Sequence, residues 1–177
     1  MSERLRADLL VAAANAFVGL GEDGGDNRGQ MVELFLREVH QPPGQPWCAA
    51  FVHHVGYWSH YNHGTRRSSW PLPPTASCWV LGEFARERGV LVERPRVGDV
   101  FLLYSTKLLR FAHTGVVVEV DAHASSAEVA VCTTIEGNTN DDGSRNGYDT
   151  LRRSRQFSVR DGHRFIRWVD LDLRMAA

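Results

Sequence analysis

Of the three cysteines in this 177-residue chain, Cys48 has the setting that best suits a nucleophile. The stretch Pro46-Trp47-Cys48-Ala49-Ala50-Phe51-Val52 follows Pro42, Pro43 and Gly44. It opens an apolar-periodic run, Trp47, Phe51, His54, Val55, Trp58. Proline near the first helical position, with apolar residues at three- and four-residue steps behind it, predicts a helix N-terminus. Cys48 then falls in the first turn, where backbone N–H groups lack intrahelical partners and the helix dipole favours negative charge. A thiol in such a place drops from about 8.5 into the ~3.5–7.5 range. The competing reading is a small buried residue, because free cysteine packs like a hydrophobe.

A cysteine nucleophile needs a base within hydrogen-bond reach and a third group to orient that base. Eight histidines compete for the first role. His53, His54, His60 and His63 sit on or just after the cysteine helix, so they point elsewhere or lie about a turn away. His113 begins a β-branched run, Thr114-Gly115-Val116-Val117-Val118, and a strand there can face it toward a helix N-terminus. Ile135-Glu136-Gly137-Asn138 ends the neighbouring strand candidate. Alternation puts Glu136 and Asn138 on one face and Ile135 on the other. Either polar side chain can accept from the imidazole and fix its tautomer, and Gly137 between them allows close backbone approach.

The elements that must position these residues come in two blocks. Leu5, Leu9, Ala12, Ala13, Ala16, Phe17 and Leu20 predict an amphipathic helix over 2–20 with Ser2 as cap. Gly21 to Asp26 breaks it. Asn27 and Gln30 have capping-box spacing before a second helix bearing Met31, Leu34, Phe35 and Val39, and Pro42-Pro43 ends that helix. After Trp58 the chain turns polar and irregular from His60 to Trp70, read as a surface loop and a candidate cleft wall, with Trp70 equally suited to be a core anchor. Thr75 starts another helix, with Trp79, Val80 and Phe84 inward and Gly89 as its stop.

From Gly98 the period changes. Strand candidates run over Val100–Tyr104, His113–Val120, Val129–Glu136, Leu151–Arg155 and Arg164–Val169. The connections are too short for crossover helices, so the sheet should be antiparallel. Helices first and strands second is the α+β order. No linker or repeat divides residues 1–177, which read as one domain.

A net charge of -1 gives no reason to expect nucleic acid or an anionic membrane as partner. No apolar run is long enough for membrane insertion, and the charged start, Met1 to Leu9, predicts no secretory signal. The expectation is synthesis in the cytoplasm, with any export by another route. Three cysteines are too few for a disulfide scaffold. If Cys78 and Cys132 paired, Cys48 would remain free, but sequence does not establish that pairing.

Four blocks together carry a resemblance: Pro46 to Val52, Gly98-Asp99-Val100, His113-Thr114-Gly115-Val116-Val117, and Glu136-Gly137-Asn138-Thr139-Asn140. In this order they resemble the CHAP family of cysteine, histidine-dependent amidohydrolases/peptidases, related to the NlpC-type branch of papain-like cell-wall peptidases. The similarity extends from Gly21-Glu22 to Arg152-Arg153-Ser154-Arg155. It implies a papain-like α+β fold, with N-terminal helices packed on a C-terminal antiparallel sheet of about five to six strands. It implies Cys48 as nucleophile, His113 as base, Glu136 as its orienting partner and Asn138 in an assisting role. The sequence leaves open which of Glu136 and Asn138 bonds His113. The substrate implied is an amide bond of peptidoglycan, in the stem peptide, its cross-bridge or its junction with the sugar. The biological settings that fit are a phage lysin, an antibacterial effector with a delivery or immunity partner, or a domain cut from a larger protein.

No cofactor is expected. His60 and His63, near His53 and His54, invite zinc, but no Cys-x-x-Cys or His-Glu-x-x-His motif supports it. Asn138-Thr139-Asn140-Asp141-Asp142-Gly143 with Asp149 partly matches a calcium loop, and some relatives bind calcium in a cleft loop, which the Asp23 and Asp26 segment resembles. Asparagine stands where the first aspartate belongs and no flanking helices follow, so a Gly/Asn/Asp turn explains the same residues. Calcium therefore stays open. Two other function classes compete: an inactive wall- or partner-binding module, and a zinc hydrolase.

Overall fold

The structure is a computed structural model that describes residues 1–61, 70–140 and 147–171, with the side chain of Tyr61 left out. Among these, four α-helices precede a six-stranded sheet: α1 (Glu3–Asn15), α2 (Gln30–Glu38), α3 (Cys48–Tyr61) and α4 (Cys78–Glu87). The strands are β1 (Leu91–Val92), β2 (Val100–Ser105), β3 (Arg110–Asp121), β4 (Val129–Thr139), β5 (Asp149–Ser158) and β6 (Arg164–Ile166). Their order is β1-β6-β2-β3-β4-β5, and each neighbouring pair is antiparallel. This is the α+β order expected.

Strand alternation sorts the side chains into two layers. Val100, Leu102, Val116, Ile135 and Ile166 join the helices in the main core. Phe101, Val117, Ala130, Cys132, Phe157 and Phe165 form a smaller cluster. Cys78 belongs to the first and Cys132 to the second, so the conceivable Cys78–Cys132 bond does not exist. All three cysteines are thiols. No described helix is long and apolar enough to cross a membrane.

Helix α3 is the centre of the molecule, packed on α1, α2, β3 and β4. Phe51 and Trp47 meet Phe35 and Phe17 in edge-on and tilted ring contacts, the geometry that favours aromatic pairs. On the sheet side, Gly137 lets β4 approach the helix. A Cβ there would lie 2.5 Å from Trp47 Cζ3 and 2.8 Å from Phe51 Cβ, distances no packed carbon accepts.

Several local expectations are corrected. Helix α1 ends at Asn15 rather than near residue 20, and Leu5 and Leu20 are exposed. The Asn27–Gln30 capping box does not form. Asn27 takes a left-handed φ of 61°, its N–H goes to Glu22 Oε2 (2.8 Å), and Gly29 precedes α2 without a side-chain cap. Helix α4 begins at Cys78, not Thr75. The Thr75 hydroxyl accepts the Ser77 N–H (3.0 Å) and Ser77 caps the helix through the Val80 N–H. The helix then buries Cys78, Leu81, Gly82 and Ala85 and leaves Trp79 50% exposed. Trp70 is buried against Trp168, with ring centroids 4.7 Å apart. It is a core anchor rather than a cleft wall, and residues 62–69, including His63, lie outside the described residues.

Gly98-Asp99-Val100 has a structural explanation. Asp99 accepts from the Arg96 N–H (2.8 Å) and from Arg167 Nη2 (3.0 Å). Trp168 Nε1 donates to the Gly98 carbonyl (2.8 Å). These bonds tie the start of β2 to the segment after β6. Burial pushes the Asp99 carboxyl up to about 6, with Arg167 only partly opposing it.

Candidate active site

Cys48 is the first residue of α3. It is 5% exposed, yet it lines a cleft of about 250 Å³ together with Gln45, Ser77, Cys78, Arg110 and Ala112. Its sulfur stands 3.6 Å from Cys78 Sγ, and Cys78 is itself the first residue of α4. Two helix N-termini therefore deliver a cysteine to the same place. The Cys48 thiol is held well below its ordinary pKa. The largest cause is the bond from Cys78; His113 and the Thr114 backbone act the same way, while burial opposes.

His113 lies in β3, buried at 4% exposure. Its Nε2 bonds Glu136 Oε2 at 2.8 Å. Nδ1, the nitrogen not engaged by Glu136, is buried without a hydrogen-bond partner among the described residues, and the ring lies near enough to Cys48 for the two groups to shift each other's titration. Burial alone would pull the imidazole down; Cys48 and Glu136 outweigh it and push it up to about 9. The two shifts have one cause: a charged ring favours the thiolate and a thiolate favours the charged ring.

Glu136 is fully buried, so its charge must be met by donors. Thr134 Oγ1 donates to Oε1 (2.6 Å). Arg155 closes on both oxygens, through Nε to Oε1 and through Nη2 to Oε2 (2.5 Å). Burial pushes the carboxyl up, but Arg155 and His113 prevail and hold it at about 2. Arg155 is the residue sequence reasoning missed, having entered only as the end of a strand. Its backbone pairs with Cys132 and that of Glu136 with Leu151, so the contact is a diagonal reach across β4 and β5. No spacing rule reveals that before the register is known.

Of the four expected site residues, Cys48, His113 and Glu136 converge. Asn138 does not reach His113. It has a left-handed φ of 55° at an irregularity in the β4–β5 register between Glu136 and Thr139. That takes it out of the alternation which had placed it beside Glu136. Its amide donates to Asn27 Oδ1 (3.1 Å), joining β4 to the segment between α1 and α2. Trp47 Nε1 is anchored nearby on Glu22 Oε1 (3.1 Å).

His54 and His60 have separate environments. His54 Nδ1 pairs with Glu38 at 2.7 Å, and His60 packs between Trp70 and Trp168. Among the described residues no group of three or more His, Cys, Asp or Glu is placed to hold a metal ion. Of the calcium-like loop, residues 141–143 lie outside the described residues.

A thiol with a lowered pKa at a helix N-terminus, near an imidazole bonded to a buried carboxylate, has the groups that acyl transfer by a cysteine needs. The family model described as CHAP domain matches residues 40–138, more than half of the chain and a span that includes Cys48, His113, Glu136 and Asn138. The chain belongs to the CHAP domain family, whose members are amidases and peptidases of the peptidoglycan-hydrolase type. No curated protein and no solved structure matches it.

Proposed function

We propose that this chain cleaves an amide bond of peptidoglycan by a thiol mechanism, with Cys48 as nucleophile, His113 as acid and base, and Glu136 as the group that orients His113. One observation carries the reading: Cys48, at the start of α3 and lining a cleft, is electrostatically coupled to an imidazole whose Nε2 is bonded to buried Glu136. The thiolate attacks the carbonyl carbon, and the proton on His113 Nδ1 passes to the leaving amine. Water then enters, loses a proton to the same nitrogen and releases the acid from the thioester. The tetrahedral oxyanion is held by the Cys48 backbone N–H, unused at the first turn of the helix. Gln45, on the wall of the same cleft three residues before Cys48, is a candidate for the second donor. Asn138 assists indirectly, by holding the end of β4 against Asn27.

The substrate class follows from the family, and with it a site of action at the bacterial wall. An inactive binding module has no chemical need for a depressed thiol, a raised imidazole and a carboxylate clamped by arginine. Digestion of purified sacculi, with the released fragments weighed by mass spectrometry, tests the proposal. Wild-type protein should release fragments carrying one new amine and one new carboxyl at a single kind of amide. Cys48→Ser should release none, and a zinc-selective chelator should leave the wild type active. No fragments from the wild type, or undiminished release by Cys48→Ser, overturns it.

A further inference from the structure

Nothing in the hydrolytic cycle requires a second cysteine, yet Cys78 Sγ lies 3.6 Å from Cys48 Sγ in a buried pair. We propose that Cys48 and Cys78 are a redox couple, closed to a disulfide by a peroxide and reopened by thiols, and that the closed form is inactive. The last clause rests on the hydrolase reading; formation of the bond does not.

The geometry supports the couple in three ways. A disulfide has its sulfurs about 2.05 Å apart, so the two need close by only roughly 1.5 Å, within reach of side-chain rotation and a small helix shift. Both side chains line the same cleft, so a small oxidant that reaches one sulfur reaches the other. Both begin helices, of 14 and 10 residues, where thiols are acidified. The third cysteine is no competitor: Cys132 sits in the separate apolar cluster and burial pushes its thiol up to about 12.

The chemistry balances with a peroxide as oxidant. The Cys48 thiolate attacks one peroxide oxygen; the O–O bond breaks, Cys48 becomes a sulfenic acid, and the departing oxygen takes a proton as water or alcohol. The Cys78 sulfur then attacks the sulfenyl sulfur. An S–S bond forms, the S–OH bond breaks, and the hydroxyl leaves as water with the Cys78 proton. Two electrons have moved from the two sulfurs to the peroxide. A dithiol reverses this by exchange at the disulfide.

The test treats the full chain with hydrogen peroxide at neutral pH, blocks remaining thiols, digests without reductant and maps the peptides by mass spectrometry. The expected product is a Cys48 peptide joined to a Cys78 peptide, two hydrogens lighter than the sum. Wall digestion should be lost in parallel and regained with dithiothreitol. In Cys78→Ser the cross-link disappears and peroxide carries Cys48 to the sulfinic acid, which dithiothreitol does not reverse. Recovery of wild-type Cys48 as sulfinic acid beside an unmodified Cys78 overturns the proposal, as does full activity in cross-linked protein. The wild-type map decides the matter even if Cys78→Ser fails to fold. A chain that cross-links but never digests wall would count against the hydrolase reading and leave the couple standing.

Discussion

Arg155→Met is expected to cost about 3 kcal/mol of stability at neutral pH and to remove most of the acid sensitivity that Glu136 contributes. Glu136 is fully buried and takes four hydrogen bonds, two of them from Arg155. Its folded pKa of about 2 compares with about 4.3 for an unfolded glutamate. By linkage that difference stabilises the fold by roughly 3 kcal/mol above pH 5. Because the folded value is the lower one, the contribution is complete above the unfolded pKa and disappears as pH falls from about 4.3 to 2. Methionine at 155 removes both guanidinium bonds and leaves a buried carboxylate with a weakened shell, a change that typically costs 3–5 kcal/mol. The carboxyl then rises toward its unfolded value and carries little acid dependence. Urea unfolding, followed by tryptophan fluorescence at pH 7, 5 and 3, checks both halves. The variant should trail the wild type by about 3 kcal/mol at pH 7, and the gap should shrink by at least half at pH 3. A gap below about 1 kcal/mol at pH 7, or one equally large at pH 3, refutes the argument that Arg155 holds Glu136 ionised.

Three further outcomes follow from the same coordinates. Gly137→Ala places a methyl 2.5 Å from Trp47 and 2.8 Å from Phe51; thermal unfolding should show a loss of about 1–3 kcal/mol, with wall digestion falling because Phe51 lies one turn beyond Cys48. His113→Ala removes an imidazolium that helps hold the Cys48 thiol down. The pH midpoint for alkylation of Cys48 should therefore move upward, and an unchanged midpoint would show that the two groups are not coupled. In the native protein Cys132 should resist alkylation at pH 8 while Cys48 is consumed, since Cys132 is buried with its thiol pushed to about 12; labelling of Cys132 at a comparable rate would contradict that placement.

What was legible in the sequence was mainly local. Pro46 with the apolar steps behind it located the start of α3 at Cys48 itself, and the change of period near Gly98 located the sheet. The pairing of His113 with Glu136 was legible as one of two options, because both sit on strands that had to be neighbours. What escaped depended on register or on left-handed backbone. Alternation cannot foresee that Asn138 takes a positive φ and turns to Asn27, nor that Arg155 reaches diagonally to Glu136. The start of α4 was set by Ser77 rather than Thr75, and that shift moved Trp79 outward. With it came Cys78 at the helix start, a placement no spacing in the sequence announces because the two helices converge only in the folded chain.

Catalysis by Cys48 requires an ionised sulfur facing an imidazolium, and the rate of Cys48 alkylation by iodoacetamide between pH 4 and 9 tests this most directly. Rapid reaction should persist below pH 6, where a free thiol of pKa about 8.5 is almost wholly protonated. A rate that rises only around pH 8.5, or a Cys48 that does not react at all, would contradict it.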